Sequence, residues 1–320
     1  MYTIHARNVN DAYNGALWCM KINGQPEDSR NGAVLAVSEP VATVYAKPLE
    51  RMLFDPDRNA NPFFHIMEAM WMLAGRNDLA SLTPYNARMS EFSDDGVTLA
   101  GAYGHRWKNQ LSYCIKLIRD NPETRRAVLA LWTPGDLVSD SKDKPCNTTV
   151  YFRPLKGELH MTVCCRSNDI IWGCYGANVV HFSYLLEYMA ISCGLRVGTY
   201  TQISNNWHIY ERHYHLMVTA DTETVETIYN GRGYKHFPLM GEGYDPRALL
   251  RNLNRFFGNP YMLVGDTPSS YINAVLIPLR MAWESYKKKF YVKAFDQICL
   301  MGDEATRKAC ILYILKNQKP

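Results

Sequence analysis

A chain of 320 residues, 47% hydrophobic and 21% charged, has the balance of a soluble globular protein and the length for one large domain or two ordinary ones. A formal net charge of +4 is too small to mark nucleic acid as a direct partner, so the arginines count by position rather than by number. Nine cysteines, with no CxxC pair and no His/Cys group at zinc spacing, argue against a disulfide scaffold and against a metal, and point to a reducing, cytoplasmic compartment.

In chain order, residues 1–25 carry few periodic signals. Glu27-Asp28-Ser29-Arg30-Asn31-Gly32 reads as a polar turn, followed by a short apolar strand over Ala33–Val37. An arginine in such a turn is by default solvated. Asn61-Pro62 opens a helix whose Phe63, Phe64, Met67, Met70, Trp71 and Leu73 cover one broad face, with Gly75 as its C-terminal cap. Glu68 sits inside that run, either as a desolvated carboxyl with a raised pKa or as an acid on the polar flank. Ser81–Gly101 reads as a surface loop over a site, and Tyr103-Gly104-His105-Arg106-Trp107 mixes aromatic and polar groups. An amphipathic helix over 109–119 stops at Asn121-Pro122, and Arg125-Arg126 lead into a buried strand over Ala127–Trp132. On an extended backbone those two arginines point to opposite faces, so one of them faces inward.

Thr133–Lys144 is a polar loop, strands follow at 149–153, 159–165 and 196–203, and a long helix over 178–193 is closed by Gly194. A helix starting near Trp207 carries His208, Tyr210 and His213. Gly258–Gly265 is loop-like, helical patterns fill 269–298 and 303–316, and Asn317-Gln318-Lys319-Pro320 is a polar tail. No run approaches membrane length, and the N-terminus lacks a basic start followed by an apolar core, so no membrane partner is expected. With no repeat and no clear boundary, the elements predict a single α+β domain over 1–320, its last hundred or so residues (from about 217) largely helical.

The chemistry concentrates between Pro145 and His213. Of the nine cysteines only Cys146 combines loop placement, a neighbouring proline and an arginine motif downstream, Arg166-Ser167-Asn168-Asp169. A nucleophilic cysteine needs a thiolate, which nearby arginines favour. A Cys-His protease competes as a reading, but none of the histidines stands in a protease signature and the arginine density points to a phosphate ligand. A metal hydrolase is disfavoured by the absence of HExxH or similar spacing.

These residues, in order, resemble the thymidylate synthase family, which includes the pyrimidine nucleotide hydroxymethylases, over roughly residues 27 to 215; the likeness is nearest to the deoxyuridylate hydroxymethylases of phage type. Ser29-Arg30-Asn31-Gly32 looks like the family's phosphate-binding turn, and Met67-Glu68-Ala69-Met70-Trp71-Met72-Leu73 like the helix bearing its catalytic glutamate. Tyr103-Gly104 with Trp107 matches a Tyr-Gly-x-x-Trp motif and carries over Tyr103 as catalytic. Arg125 and Arg126 resemble the pair that crosses a dimer interface to the partner's phosphate. Pro145-Cys146 matches the nucleophile, and Arg166 and Ser167 the phosphate motif; Asp169, with Glu68, falls on the folate contacts. Asn178 looks like the base-reading asparagine, and His208 and Tyr210 like the pair on the sugar 3′-hydroxyl. The resemblance implies a mixed sheet packed with long helices, a homodimer through a sheet face, a pyrimidine nucleoside monophosphate as substrate and 5,10-methylenetetrahydrofolate as co-substrate. Cys146 would add to C6 of the base, and Glu68 would manage protons at O4 and C5.

Three departures bear on the outcome. Met89 and Phe92 stand where the family's synthases carry tryptophans, Asn147 replaces the histidine after the nucleophile, and the polar tail replaces an apolar one. Each loosens or remodels the pocket around the reacting methylene, which favours water over hydride and therefore a hydroxymethylase acting on dUMP, a product suited to a virus that modifies its DNA. A divergent thymidylate synthase is the alternative, and a nucleotide- or folate-binding regulator without turnover is the reading from another class. A carboxamide at Asn178 suits uracil, but the segment Arg166–Asn178 is one residue longer than the synthase pattern. If Ala177 takes the reading position instead, dCMP or CMP becomes the substrate.

Overall fold

The computed structural model describes residues 1–218, 227–231, 233–241 and 243–318. Lys319 and Pro320 of the expected tail lie outside the described residues.

An eight-stranded mixed sheet carries the fold, with β1 Tyr2–Ala6, β2 Gln25–Ser29, β3 Gly32–Val37, β4 Val41–Tyr45, β5 Val128–Ala130, β6 Asn147–Leu155, β7 Glu158–Asp169 and β8 Arg196–Tyr210. Its main path runs β1-β4-β8-β7-β6-β5. The long β8 pairs in parallel with β7 along one edge, while β4 and then β3 share its other edge, both antiparallel. β2 and β3 form a hairpin, so the expected polar turn at 27–32 is reduced to the residues between two strands. The stretch from Trp207 to Tyr210, expected to be helical, is the end of β8. Trp207, His208 and Ile209 are all buried there, between β3 and β7, which erases the alternation that marks a half-exposed strand. β1 and the helix α1 Val9–Asn23 fill the region that carried few expected signals.

The helix α2 Pro62–Leu73 starts on an Asn61 cap that accepts from the Phe64 amide, and it is buried on nearly every side. Against it sits the short α3 Tyr103–Trp107. Gly104 makes that approach possible: a Cβ there would lie 2.0 Å from the Met72 carbonyl oxygen. Arg106 then ties α3 to the loop before β6, pairing its guanidinium with both oxygens of Asp136 at 2.7 and 2.8 Å. α4 Leu111–Asp120 follows as expected, and α5 Gly135–Val138 is a single turn inside the predicted loop. Between β7 and α6 Val179–Cys193 the chain forms a π-helical turn, Ile170–Asn178. After β8 come α7 His215–Val218, α8 Pro246–Gly258, α9 Ile277–Lys287, α10 Tyr291–Cys299 and α11 Glu304–Asn317. The helix expected over 269–298 is interrupted between α9 and α10, where Lys289 takes a positive φ of 62°. α8, α9 and α11 all pack on α2, so the C-terminal helices and the sheet share one apolar core.

The sheet has two unlike faces. Leu159, Met161, Val163, Tyr200, Gln202 and Ser204 lie buried on one. On the other, Thr149, Thr162, Cys164, Thr199 and Thr201 are half-buried and Tyr151 is exposed. Gly104→Ala is expected to lower the free energy of unfolding by about 3 kcal/mol through overpacking. Urea titration checks this, and an unchanged midpoint would show that α3 can move away from α2 at no cost.

Candidate active site

Strand pairing assembles the site. In β7 and β8 the parallel register sets Ser167 opposite Asn206 and Asp169 opposite His208, at the C-terminal ends of both strands. β6 runs the other way, so its first residue, Asn147, pairs with Cys165, and the register slips between Asn147 and Thr149. Such a bulge bends a strand end and re-aims the side chains beside it. Cys146 therefore stands just outside β6, near Arg166, whose Nη2 is 3.8 Å from Sγ. Arg166 is braced by donating to the carbonyls of Pro145 at 2.9 Å and Lys144 at 3.1 Å.

Two adjoining cavities share Ser167 and Lys144 in their walls. The first, about 450 Å³, is polar: Arg30, Lys142, Lys144, Arg166, Ser167, His208 and Tyr210 are among its lining residues. Here Arg30 is exposed on its turn, and Asn31 Nδ2 donates to the Tyr210 hydroxyl at 3.5 Å. His208 takes a 2.7 Å hydrogen bond to Asn206 through Nδ1, and burial lowers its pKa, partly offset by Asp169. The second, about 250 Å³, holds Glu68, Tyr103, Cys146, Asp169, Ala177, Asn178 and His181, with Met89, Phe92 and Trp172 as apolar walls. Asp169 also caps the π turn, accepting from the Ile171 amide at 2.8 Å.

The π turn bears on the register of Asn178. The segment Arg166–Asn178, one residue longer than the synthase pattern, ends in this π turn, and Ala177 and Asn178 both line the second cavity. Asn178 projects into the cavity with its amide between Asn147 and Asn168, at 3.2 Å from each. Gly173 lets the turn close over this group, since a Cβ there would meet Asn168 Oδ1 at 2.7 Å.

The Glu68 side chain is 13% exposed and lies 2.9 Å from His181 Nε2. His181 was not among the expected site residues. It lies one helical turn after Asn178, on the same side of the helix, and that spacing is the signal that could have found it. Asp143 and Trp172 were missed as well. Asp143 accepts from the Gly101 amide at 2.7 Å, and burial raises its pKa. Tyr103 accepts from the Asn147 amide at 3.2 Å, its own hydroxyl pushed well up by burial. Asn147 is wholly buried and hydrogen-bonded through its backbone and side chain. Arg125 and Arg126 are both exposed, so neither faces inward, and neither lines either cavity. They precede the edge strand β5, where solvent covers both sides of the turn.

Burial raises the Cys146 thiol above the ordinary thiol range, Arg166 draws it back, Asp143 raises it and Arg30 lowers it. The net direction is upward, so the arginines moderate the thiol rather than ionise it. Alkylation of the Cys146 peptide by iodoacetamide, followed by mass spectrometry against pH, is expected to show a midpoint above that range. Arg166→Gln should move it higher still, and an unmoved midpoint would mean the guanidinium does not act on the sulfur.

The thymidylate synthase family model matches residues 58–226. The chain is 41% identical over 312 residues to the deoxyuridylate hydroxymethyltransferase of Pseudomonas phage M6, covering 92% of this chain and 88% of that one. To the deoxyuridylate hydroxymethyltransferase of Bacillus phage SP01 it is 35% identical over 312 residues, 86% of this chain and 81% of the other. To that of Delftia phage PhiW-14 it is 28% identical over 221 residues, 65% and 60% of the two chains.

Proposed function

We propose a function from the premise that this chain belongs to the thymidylate synthase family: it is a one-carbon transferase that converts dUMP to 5-hydroxymethyl-dUMP. The observation that carries the reading is the single cavity in which Cys146, Glu68, Asn178 and Asp169 meet, opening beside a second cavity lined by Arg30 and Arg166. The phage relatives bear the name of this activity.

The nucleotide phosphate lies with Arg30, Arg166 and Ser167, and His208 and Tyr210 take the sugar 3′-hydroxyl. That binding energy brings C6 of the base to the Cys146 sulfur. Sulfur adds to C6 and makes C5 nucleophilic. 5,10-Methylenetetrahydrofolate, bound against Trp172 and Asp169, supplies the one-carbon unit to C5 and leaves as tetrahydrofolate once the C5 proton is lost, so that water can add to the exposed methylene. Tyr103 braces the nucleophile loop through the Asn147 amide. Glu68, partnered by His181, handles the proton leaving C5 and orients the water that becomes the new hydroxyl. Expulsion of the Cys146 thiolate then frees the product. Met89 and Phe92, in place of tryptophans, leave room for that water. The described end of α11 does not line the cavity: Asn317 exchanges two amide hydrogen bonds with Asn59, at 2.8 and 3.0 Å, and Lys316 pairs with Asp57.

The test is mass spectrometry of product from dUMP and methylenetetrahydrofolate, with dCMP and CMP in parallel and Cys146→Ser as the inactive control. Gain of one CH2O unit on dUMP, with tetrahydrofolate released, is expected. Gain of CH2 with dihydrofolate formed would make the protein a thymidylate synthase, and no product at all would leave a binding protein.

The protein is further proposed to work in the cytoplasm of an infected cell as a homodimer through the half-buried, threonine-rich sheet face. That arrangement gives the exposed Arg125 and Arg126 a use, at the partner's phosphate. Gel filtration should show twice the chain mass, and an active monomer would remove the role of both arginines.

A further inference from the structure

β8 alternates, and Tyr200, Gln202 and Ser204 fall on its buried face, none more than 1% exposed. They anchor a continuous chain of hydrogen bonds that passes through the cavity. The Tyr200 hydroxyl donates to Gln202 Oε1. Gln202 Nε2 donates to Asn147 Oδ1 at 3.0 Å, and Asn147 Nδ2 to Asn178 Oδ1 at 3.2 Å. Asn178 Nδ2 donates to Asn168 Oδ1 at 3.2 Å, and Asn168 Nδ2 to the Ser204 hydroxyl at 2.9 Å.

Each of the four carboxamides can be turned end for end, but in such a chain the turn of one forces the turn of all. The ends decide the polarity. Ser204 bonds with the Cys174 thiol, and hydroxyl and thiol both donate and accept, so that end is indifferent. Tyr200 is not: a phenol is a good donor, and its oxygen, conjugated to the ring, is a poor acceptor. Its ring stacks on Tyr45 at 5.2 Å between centroids, which holds the hydroxyl in place.

The polarity matters because Asn178 spends one N–H and one lone pair on the chain and keeps one of each for a ligand. Uracil presents N3–H and O4; cytosine presents N3 and an amino group, the opposite order. One carboxamide reads either base, depending on which way round it is held. Building on the proposed reading of Asn178, we propose that Tyr200, acting through Gln202 and Asn147, is the positioning residue that fixes this amide for uracil and excludes cytosine.

The test compares kcat/KM and calorimetric Kd for dUMP and dCMP in the parent, Tyr200→Phe and Asn147→Asp; the ratio within each protein cancels losses common to both nucleotides. Tyr200→Phe is expected to keep dUMP turnover within about threefold while the preference for dUMP falls about tenfold or more, since the wrong base no longer leaves fixed polar groups unpaired. Asn147→Asp, assayed across a pH series so that its carboxyl is ionised at the upper end, accepts from both neighbours there and turns the Asn178 amide round, so the preference should move to dCMP as pH rises. A folded Tyr200→Phe with the parent's ratio overturns the proposal. If that variant does not fold, an unchanged ratio in Asn147→Asp overturns it instead. Lack of turnover by the parent would count against the proposed activity alone, and the Kd ratios would still decide the role of Tyr200.

Discussion

Parallel pairing of β7 with β8 along nearly their whole length is the constraint from which the site follows. Because the strands run together, their ends arrive together, and Ser167, Asp169, Asn206 and His208 are delivered to one edge by backbone register. A parallel pair also requires a crossover, and here the crossover is the π turn and α6, which bring Asn178 and His181 over the same edge. β6 pairs antiparallel on the far side of β7 and contributes its beginning rather than its end, with Cys146 just ahead of it. A one-residue slip in β7 against β8 would exchange the buried and half-buried faces and scatter every one of these groups.

The second support is α2. It is buried almost all round because α6 and α3 pack on it together with the C-terminal helices α8, α9 and α11. That arrangement keeps Glu68 mostly dry and 2.9 Å from His181. It also explains Gly104, which lets α3 lie on the Met72 carbonyl and so sets where Tyr103 can reach the Asn147 amide. The buried pair of Arg51 and Glu187 closes the far side of α6, with His236 at 2.8 Å from the same carboxylate. Removing either partner would leave a lone charge in the core, which is strongly destabilising.

A cysteine after proline, an arginine-serine pair and an acid in an apolar helix could be singled out by local chemistry, whereas Asn178, His208 and Tyr210 were singled out by the family resemblance. Glu68, Cys146, Arg166, Asp169, Asn178, His208 and Tyr210 all line the two cavities. α1 was legible and overlooked. Asn8 caps it, and Val9, Ala12, Tyr13, Ala16, Leu17 and Met20 repeat at helical spacing. The end of β8 was not legible, since Trp207, His208 and Ile209 are buried together and the alternation disappears. The break at Lys289 was equally hidden, because a positive φ on lysine is imposed by the packing of α9 against α10 rather than by local preference. The amide chain was invisible for a different reason: Tyr200, Gln202 and Ser204 are ordinary strand residues until Asn147 and Asn168 are placed beside them.

Arg166 shows how the two cavities constrain each other. Its guanidinium lowers the thiol, yet in the proposed reading the same charge receives the nucleotide phosphate, and a dianion there would cancel much of its effect on the sulfur. Both tasks are compatible only if the anion is shared, and Arg30 and Lys144 stand in the same cavity to share it. In the proposed reading burial therefore keeps the thiol above the ordinary thiol range before the nucleotide arrives. A buried thiol held neutral is poorly reactive toward solutes that lack the nucleotide's geometry. In the proposed reading, burial, which raises the thiol, and Arg166, which limits the rise, would together favour reaction of Cys146 with a bound pyrimidine over reaction with free solutes.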